Sequence, residues 1–412
     1  MVKDLLRSTE KQLKLEIGAG EVRSFRNKEI VKTGARIFDE GKIASASFVG
    51  QIEDSELYRR CMSQRDAAVP FDYELPRDSS YSKSLTGGGG SMERLPELTE
   101  AALRRLKEAN RDFLYSGHAA CSLVSEEHRN SLGVDHRIEV EHSGWAFLFK
   151  HKSSAGIMDG WFGSGGIGKA DPMEAIERNL PFLEAFGNEV PISEGPKPVV
   201  YTDLQGWLFR KLCESLRIDK HKDGSALYSG RMGERLFSED FSLYDVSFAP
   251  EYGVASPFDG EGTLRKEPRL PLIEKGSITN LICDLRCGKK YGAATTGNGQ
   301  RGFNTGVHLG FNALAVGRGE RPFDSLIKEF EECVFVVMAM GGDCTDTGEF
   351  SSPVALSYLF KNGKLAGRLP QITVKSGMRE MFGPKLLGVS SDGFLSSNLN
   401  PCVFMEMQVM KN

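Results

Sequence analysis

Alternating apolar and polar residues near the start of the chain predict β-strands. From Ile43 to Val49, one face would carry Ile43, Ser45, Ser47 and Val49, and the other Ala44, Ala46 and Phe48. The preceding residues 39–42, with the sequence DEGK, are typical of a hairpin turn. The chain is therefore predicted to begin with an antiparallel sheet.

Two helices are predicted in the first half of the chain. The first has its apolar residues at helical spacing, which predicts an amphipathic surface helix. These residues are Leu95, Leu98, Ala102 and Leu106. The second begins with Asp171 as N-cap, Pro172 at the first helical position and Glu174 as the partner in a capping box.

Strands are predicted again between these two helices, in residues 118–162. Five of the seven histidines lie in this part of the sequence, between His118 and His151. Strands with one exposed face can carry these histidines at exposed positions, so their presence does not require a catalytic role.

A Gly- and Pro-rich segment at residues 187–197 predicts a domain boundary. The predicted domains are residues 1–190 and 191–412. One helix, at residues 203–216, and then a long series of short strands are predicted beyond the boundary. The predicted fold class is α+β, with two domains of mixed and antiparallel sheets flanked by helices.

The composition is that of an ordinary soluble protein. The 412 residues include 26% charged and 40% hydrophobic residues, and the formal net charge is -4. Nothing in this charge balance would attract nucleic acid, so direct nucleic acid binding is not expected. The charged N-terminal segment and the absence of an apolar run of about 20 residues predict a cytoplasmic protein without a membrane span.

A glycine-rich segment suggests a phosphate-binding loop but departs from both known patterns. Residues 163–170, GSGGIGKA, fit G-x-G-x-x-G and most of the P-loop motif. Ala170 lacks the hydroxyl that binds magnesium, and Asp171 would place a negative charge where a pyrophosphate lies. A glycine-rich connection is favoured, and nucleotide binding through Gly163–Lys169 remains an alternative.

The sequence contains no H-E-x-x-H, H-E-x-x-x-H or G-x-S-x-G motif. Cys283 and Cys287 form a close pair, but one pair does not make a tetrahedral metal site. Asp259 and Glu261 match one alternation of a calcium loop, and the later ligands of such a loop are missing. A turn between strands is the favoured interpretation of this acidic segment.

The second half of the chain resembles the TldD/PmbA proteins, a family described as zinc metallopeptidases and as modulators of DNA gyrase. The resemblance rests on FDGEGT at residues 258–263, PLIEKG at 271–276, TGNGQRG at 296–302 and TGEFS at 347–351. Residues 42–50 and 129–143 agree more loosely. The resemblance implies a TldD/PmbA-like fold in which Asp259 and Glu261 shape a loop near a cleft, followed by a hairpin at Lys275–Gly276.

The resemblance also implies that this chain lacks the zinc site of the peptidase members, which carry H-E-x-x-x-H on one helix. Leu208, Phe209 and Cys213 are expected where His, Glu and His would be. Cys402 lies in the apolar final strand rather than in the glycine-rich loop that supplies a cysteine ligand. The chain is therefore similar to the non-catalytic kind, called PmbA or TldE, and no metal or cofactor is expected.

The function implied is that of a non-catalytic subunit that completes a metallopeptidase complex. Its partner would be a TldD-like H-E-x-x-x-H peptidase, its substrate a peptide or unfolded segment, and a homodimer is a further possibility. A candidate cleft is assigned to Asp259, Glu261, Gly297, Asn298, Arg301 and Phe350. The alternative from the enzyme class is a relocated metal site at Cys283, Cys287 and His308.

The loop at residues 295–302 has a predicted role of its own. Its three glycines let the backbone approach another chain closely, and Asn298 and Arg301 add hydrogen-bond donors. The loop is therefore expected to line the cleft or a partner interface, and alanine at these two positions is expected to leave folding intact.

Overall fold

The computed structural model describes residues 1–87, 92–168, 171–201, 209–393 and 400–412. Strands and helices combine in an α+β fold with largely antiparallel sheets, as the sequence predicts. In these ranges no helix is both long enough and apolar enough to cross a membrane.

A large sheet forms from the first part of the chain. Its strands are β1 (Val2–Gly18), β2 (Glu21–Asp39), β3 (Lys42–Val49), β4 (Val69–Pro70), β5 (Ser79–Leu85), β6 (Phe113–Asn130), β7 (Val134–His151) and β8 (Gly160–Ile167). The order is β4-β3-β2-β1-β6-β7-β5, with β8 also paired to β7. The predicted hairpin joins β2 to β3, and Glu40 and Gly41 have φ values of 49° and 71° there.

The buried face of this sheet changes midway along β7. Even-numbered residues from His136 to Val140 are buried in its first half, and odd-numbered residues from Trp145 to Phe149 in its second. Because side chains alternate along a strand, the two halves bury opposite faces. Ile138 packs near Phe258 from the second half of the chain, whereas Phe147 shares a core with the helices.

The helices of the first half are α1 (Asp54–Ser63), α2 (Leu95–Ala109) and α3 (Pro172–Ala185). Along α2 the buried face follows the predicted spacing, with Leu98 partly buried. The Asp171 side chain caps α3 by accepting a hydrogen bond from the Met173 N–H at 2.9 Å. Glu174 does not act as the predicted capping-box partner, since it accepts a hydrogen bond from Arg178 in the next turn.

Two expectations for the first half are wrong. Gly163–Ile167 is not a connection but part of β8, where Gly165 pairs with Gly144 of β7. Its backbone therefore belongs to a ladder rather than a phosphate cradle, and Lys169 lies outside the described residues. His128 and His136 are fully buried instead of exposed, because they lie on the face that the second half of the chain covers.

The second half contains the remaining elements. Its strands are β9 (Gly195–Tyr201), β10 (Leu243–Val246), β11 (Phe248–Ala249), β12 (Val254–Ala255), β13 (Arg269–Glu274), β14 (Ser277–Ile278), β15 (Gly299–Gln300), β16 (His308–Leu309), β17 (Ala313–Val316), β18 (Glu332–Ala339), β19 (Asp343–Cys344), β20 (Glu349–Lys361), β21 (Lys364–Arg368), β22 (Ile372–Gly377), β23 (Leu386–Val389) and β24 (Val403–Lys411). Its helices are α4 (Arg210–Ser215), α5 (Ile218–Lys222), α6 (Leu285–Tyr291), α7 (Phe323–Leu326) and α8 (Met378–Met381).

These strands form one large sheet and three small ones. The large sheet has the order β18-β9-β24-β22-β20-β19, with β21 on β20 and β23 on β24. A four-stranded sheet has the order β14-β13-β10-β17, and β11–β12 and β15–β16 are hairpins. The predicted hairpin at Lys275–Gly276 joins β13 to β14, with φ values of 45° and 79°. Cys402 is buried one residue before β24.

The two large sheets share one hydrophobic core. Phe147 and Phe162 of the first sheet belong to the same cluster as Phe335 and Phe404 of the second. The division into domains of residues 1–190 and 191–412 stays a prediction. Residues from both ranges belong to this cluster.

Candidate functional site

The loop with the sequence FDGEGT and the loop with the sequence TGNGQRG lie against each other beside the first sheet. The Gly299 N–H donates to the Asp259 carboxylate at 2.9 Å, and the Gly260 N–H donates to the Gly299 carbonyl at 2.8 Å. The structure thus brings together four of the residues assigned to the cleft from sequence, namely Asp259, Glu261, Asn298 and Arg301.

The Asp259 carboxylate holds both loops in shape. Its Oδ1 accepts from the N–H groups of Glu261 at 3.0 Å and Thr263 at 2.8 Å, which is the local turn that aspartate favours. Burial raises the pKa of Asp259, while Arg265 and the backbone donors act in the opposite direction. Both carboxylate oxygens are therefore occupied by the chain's own backbone.

Glu261 is buried in the same loop, and one of its carboxylate oxygens is unpaired in the described part of the chain. Its Oε2 accepts from the Leu285 N–H at 2.9 Å, whereas Oε1 has no hydrogen-bond partner in the described ranges. Burial, and then the charge of Asp259, raises the pKa of Glu261 to about 8. The side chain is thus mainly protonated at neutral pH. Asp284, which caps α6, adds to this effect.

Asn298 uses its donors inside the chain. Its Nδ2 donates to Asp245 at 2.6 Å and to the Gly310 carbonyl at 2.9 Å, and the side chain is buried. Asp245 also accepts from the backbone and side chain of Asn312 at 2.7 and 2.8 Å. The expectation that Asn298 offers free donors to a partner chain is wrong, since the amide joins two segments of its own chain.

Arg301 connects the second loop to the first sheet. Its Nη1 lies 2.6 Å from Asp4 Oδ1 on β1, and its Nη2 donates to the Gly34 carbonyl at 3.2 Å. Burial and then the charge of Arg36 lower the pKa of Arg301 to about 10, and Asp4 opposes them. Arg301 is therefore a buried structural cation, and its replacement by alanine is now expected to destabilise the fold.

Asp4 is the centre of this buried network, and it was not among the residues assigned from sequence. Arg36 Nε donates to Asp4 Oδ1 at 2.9 Å, and His128 Nε2 lies 2.6 Å from Oδ2. Burial alone would raise the pKa of Asp4, but its three partners hold it well below the usual value. Asp4 lies in the charged N-terminal segment, where no local pattern marks it as buried.

Gly297 and Phe350 complete the set assigned from sequence. Gly297 has a φ of 73°, and a Cβ there would lie 2.9 Å from Arg265 Cγ, so glycine is needed for the turn. Phe350 is buried in β20 of the second large sheet, where it lines a separate cavity with Glu349 and Lys375. Phe350 therefore does not lie among the other candidate residues.

Gly34 gives a direct test of how closely the loop approaches the sheet. A Cβ on Gly34 would lie 2.0 Å from the carbonyl oxygen of Phe303, so Gly34→Ala must push the loop away. We expect an unfolding free energy lower by about 2 kcal/mol or more, measured by urea denaturation. Gly166→Ala is the control, because its Cβ would meet nothing within 4 Å. Equal stability of the two variants would contradict this close approach.

A groove runs between the covered face of the first sheet and the loops of the second half. It consists of two cavities of about 280 and 250 Å³. Glu126, Ser256 and Asn312 line both, and Asp259 and Arg301 line the second. The candidate loops therefore border a groove, although most of their polar atoms are used internally.

Residues 198–409, more than half of the chain, match the model of the PmbA/TldA metallopeptidase C-terminal domain. The chain belongs to the PmbA/TldD family. The crystal structure of TldE from Thermococcus kodakarensis is similar over 100% of this chain and 97% of its own, with a TM-score of 0.84 and 18% identity.

Two curated proteins are similar to this PmbA/TldD family member. An uncharacterized protein of Methanocaldococcus jannaschii is 28% identical over 381 residues, 89% of this chain and 85% of its own. A protein of Archaeoglobus fulgidus named metalloprotease is 26% identical over 168 residues, 40% of this chain and 39% of its own.

The residues expected at the family's metal motif do not fit zinc. Phe209 is buried and stacks on Phe382, with ring centroids 5.5 Å apart. Cys213 is a partly buried residue packed against the same core, and burial, then Asp245, raises the pKa of its thiol to about 12. A phenyl ring and a single thiol do not supply the imidazole and carboxylate groups that this motif needs. Leu208 lies outside the described residues.

The relocated cysteine and histidine site is not supported. Cys283 and Cys287 are buried at the start of α6, whereas His308 is exposed on β16. In the part of the chain that the structure describes, no group of three or more His, Cys, Asp or Glu residues could hold a metal ion. These three residues therefore do not form the alternative metal centre.

Proposed function

We propose that this chain is a non-catalytic, TldE-like subunit of a metallopeptidase complex. Its partner would be a homologous subunit with an H-E-x-x-x-H motif, and the complex would degrade or process peptides and unfolded segments. This chain would complete the substrate cleft and hold an extended peptide, while the partner provides the zinc and its chemistry.

The observation that carries this proposal is the environment of Phe209 and Cys213. A peptidase subunit needs imidazole and carboxylate groups at such positions. Here an aromatic ring stacks in the core, and the neighbouring thiol has a raised pKa. Phe209, directly before α4, and Cys213, within α4, both pack against the hydrophobic core. This part of the chain therefore serves as a core element of the fold.

The groove supports the part of the proposal that concerns substrate. It lies between loops of the second half and a face of the first sheet, and it is open to solvent. Extended peptides are commonly bound in such places through main-chain hydrogen bonds and side-chain pockets. A nucleotide is a poorer candidate, because Gly163–Ile167 is committed to the β7–β8 ladder.

Mixing the chain with an H-E-x-x-x-H homologue from the same genome tests the proposal. Alone, the chain is expected to retain far less than one equivalent of zinc after dialysis and to cleave no flexible peptide. The mixture is expected to elute as one complex in which peptidase activity appears or rises. Replacing the homologue's motif glutamate by glutamine should abolish the activity, whereas His308→Ala here should not change it.

Two results would contradict the proposal. One is chelator-sensitive cleavage by this chain alone, with about one equivalent of zinc that survives dialysis. The other is a homologue that is fully active alone and elutes separately from this chain at micromolar concentration.

A further inference from the structure

Glu126 lies where the two cavities of the groove meet. On one side, the groove is lined by apolar residues of β6 and β7, namely Val124, Ile138 and Val140. On the other, it is lined by residues 253–256. Glu126 lines both cavities, so a ligand that follows the groove must pass its carboxylate.

The Glu126 carboxylate is not used by the fold. It is exposed to the groove and makes no hydrogen bond or ion pair with any described residue. Even so, burial by the surrounding walls raises its pKa. A carboxylate in such a place is reached by water but is poorly solvated, which makes its charged form less stable. A bound cation would stabilise the charged form.

Cations on the strands and loops around Glu126 have other contacts. Lys83 of β5 is separated from Glu126 by Ile138 in the strand register, and its ammonium lies over the Phe248 ring, 4.4 Å from its centroid. Ser8 of β1 stands between Glu126 and Lys32 in the strand register, and the Lys32 ammonium lies over the Phe303 ring, 5.7 Å from its centroid. Arg265 donates to the Ser256 carbonyl and, at 2.7 Å, to Asn312 Oδ1. These contacts leave the Glu126 charge available to a ligand.

His142 does not supply a cation either. It lines the first cavity, and burial lowers its pKa, so the imidazole is neutral at pH 7. The Arg301 guanidinium, which lines the second cavity, is paired with Asp4.

The edge of β12 could hold a peptide backbone beside this carboxylate. The Ser256 N–H donates to the Ser247 carbonyl at 2.7 Å, and Ala255 is the next residue in the hairpin, opposite Phe248. In an antiparallel ladder, hydrogen-bonded and non-hydrogen-bonded pairs alternate, so the N–H and C=O of Ala255 point away from β11. Because Ala255 lines the groove, these groups can pair with an extended chain.

We propose that the groove binds an extended peptide segment carrying a lysine or arginine side chain, whose cation pairs with Glu126. This inference rests on the proposed function and names the substrate class that the subunit would select. Glu126 is then a specificity-determining residue, and it takes no part in bond cleavage.

Binding to the purified full chain tests the proposal without any partner subunit. The probes are labelled five-residue peptides of alanine and serine with a central lysine, norleucine or glutamate, followed by fluorescence anisotropy. The lysine peptide is expected to bind about tenfold tighter than the norleucine peptide or better, as a charge-assisted contact allows. Glu126→Gln should remove this preference, and Glu126→Lys should transfer it to the glutamate peptide.

The control variant is Glu108→Gln, which removes one negative charge from the exposed surface of α2 and should leave binding unchanged. The reciprocal preference of Glu126→Lys cannot arise from general loss of folding. The proposal is overturned if no peptide binds or if the three peptides bind with equal affinity. It is also overturned if lysine amide binds as tightly as the lysine peptide. Co-elution with the H-E-x-x-x-H homologue is measured on the same preparations, so a failure of assembly is distinguished from a failure of selectivity.

Discussion

Asp4→Asn is expected to lower the free energy of unfolding by about 3 to 5 kcal/mol, the cost of breaking a buried ion pair by removing one partner. The substitution preserves shape but leaves Arg36 and Arg301 without their common anion. The two guanidinium groups already disfavour each other, since Arg36 lowers the pKa of Arg301. Urea denaturation at pH 7 measures the loss, and hydrogen exchange should increase in residues 296–303.

Glu234→Gln is the control for this prediction, because the pair of Glu234 with Arg231 is exposed and should contribute less than about 1 kcal/mol. The folded-state pKa of Asp4 is lowered, so its contribution is present above its unfolded pKa near 3.8 and is lost as pH falls through the lower folded value. Asp4→Asn should therefore also reduce the acid sensitivity of the protein. A loss no larger than that of Glu234→Gln would show that the network does not stabilise the fold.

Much of the local structure could be predicted from sequence because local chemistry determines it. The DEGK turn, the Asp171 cap and the Lys275–Gly276 hairpin each depend on a few neighbouring residues with known backbone preferences. The β8 strand was missed because its glycines resemble a loop, and only pairing with β7 shows otherwise.

The burial of the polar residues could not be predicted in the same way. His128 appears in a charged run, and a single strand pattern does not reveal which face another part of the chain will cover. Its burial depends on the FDGEGT loop, since Gly262 lies close enough that a Cβ would be 3.1 Å from His128 Nε2. Asp4 and Arg301 are 297 residues apart in sequence, so their contact is a property of the tertiary fold.

The candidate site was found by resemblance but interpreted incorrectly in one respect. The signature loops do border a groove, yet Asn298 donates only within its own chain, and Arg301, which lines the second cavity, is paired with Asp4. Glu126, which makes no hydrogen bond or ion pair with any described residue, lies outside those signatures. In this chain the signature residues Asp259, Asn298 and Arg301 build the loop framework, whereas Glu126, the residue that we propose selects the ligand, belongs to the first sheet.

The protonation of Glu261 leads to the second large effect, a stability that depends on pH. Its pKa is raised from 4.5 to about 8 in the folded chain. For a raised pKa, the stabilising contribution is complete below the unfolded value and is lost as pH rises through the folded one. The contribution of Glu261 to stability should therefore decrease between pH 4.5 and 8, because folding must retain a proton that the unfolded chain has released.

Glu261→Gln should remove this dependence, because the amide is neutral at every pH and can still accept the Leu285 N–H through its oxygen. Relative to the unmodified protein, the variant is expected to gain about 3 to 5 kcal/mol in unfolding free energy between pH 4.5 and pH 8.5. Urea denaturation at both pH values measures the gain. A packing cost of the amide that does not depend on pH cancels when the effect of the substitution at pH 4.5 is subtracted from that at pH 8.5. Glu234→Gln, at an exposed site, should show no such change. If the two proteins keep a constant stability difference from pH 4.5 to 8.5, Glu261 is ionised in the folded chain, and its unpaired oxygen must be compensated by a donor or cation bound at the loop.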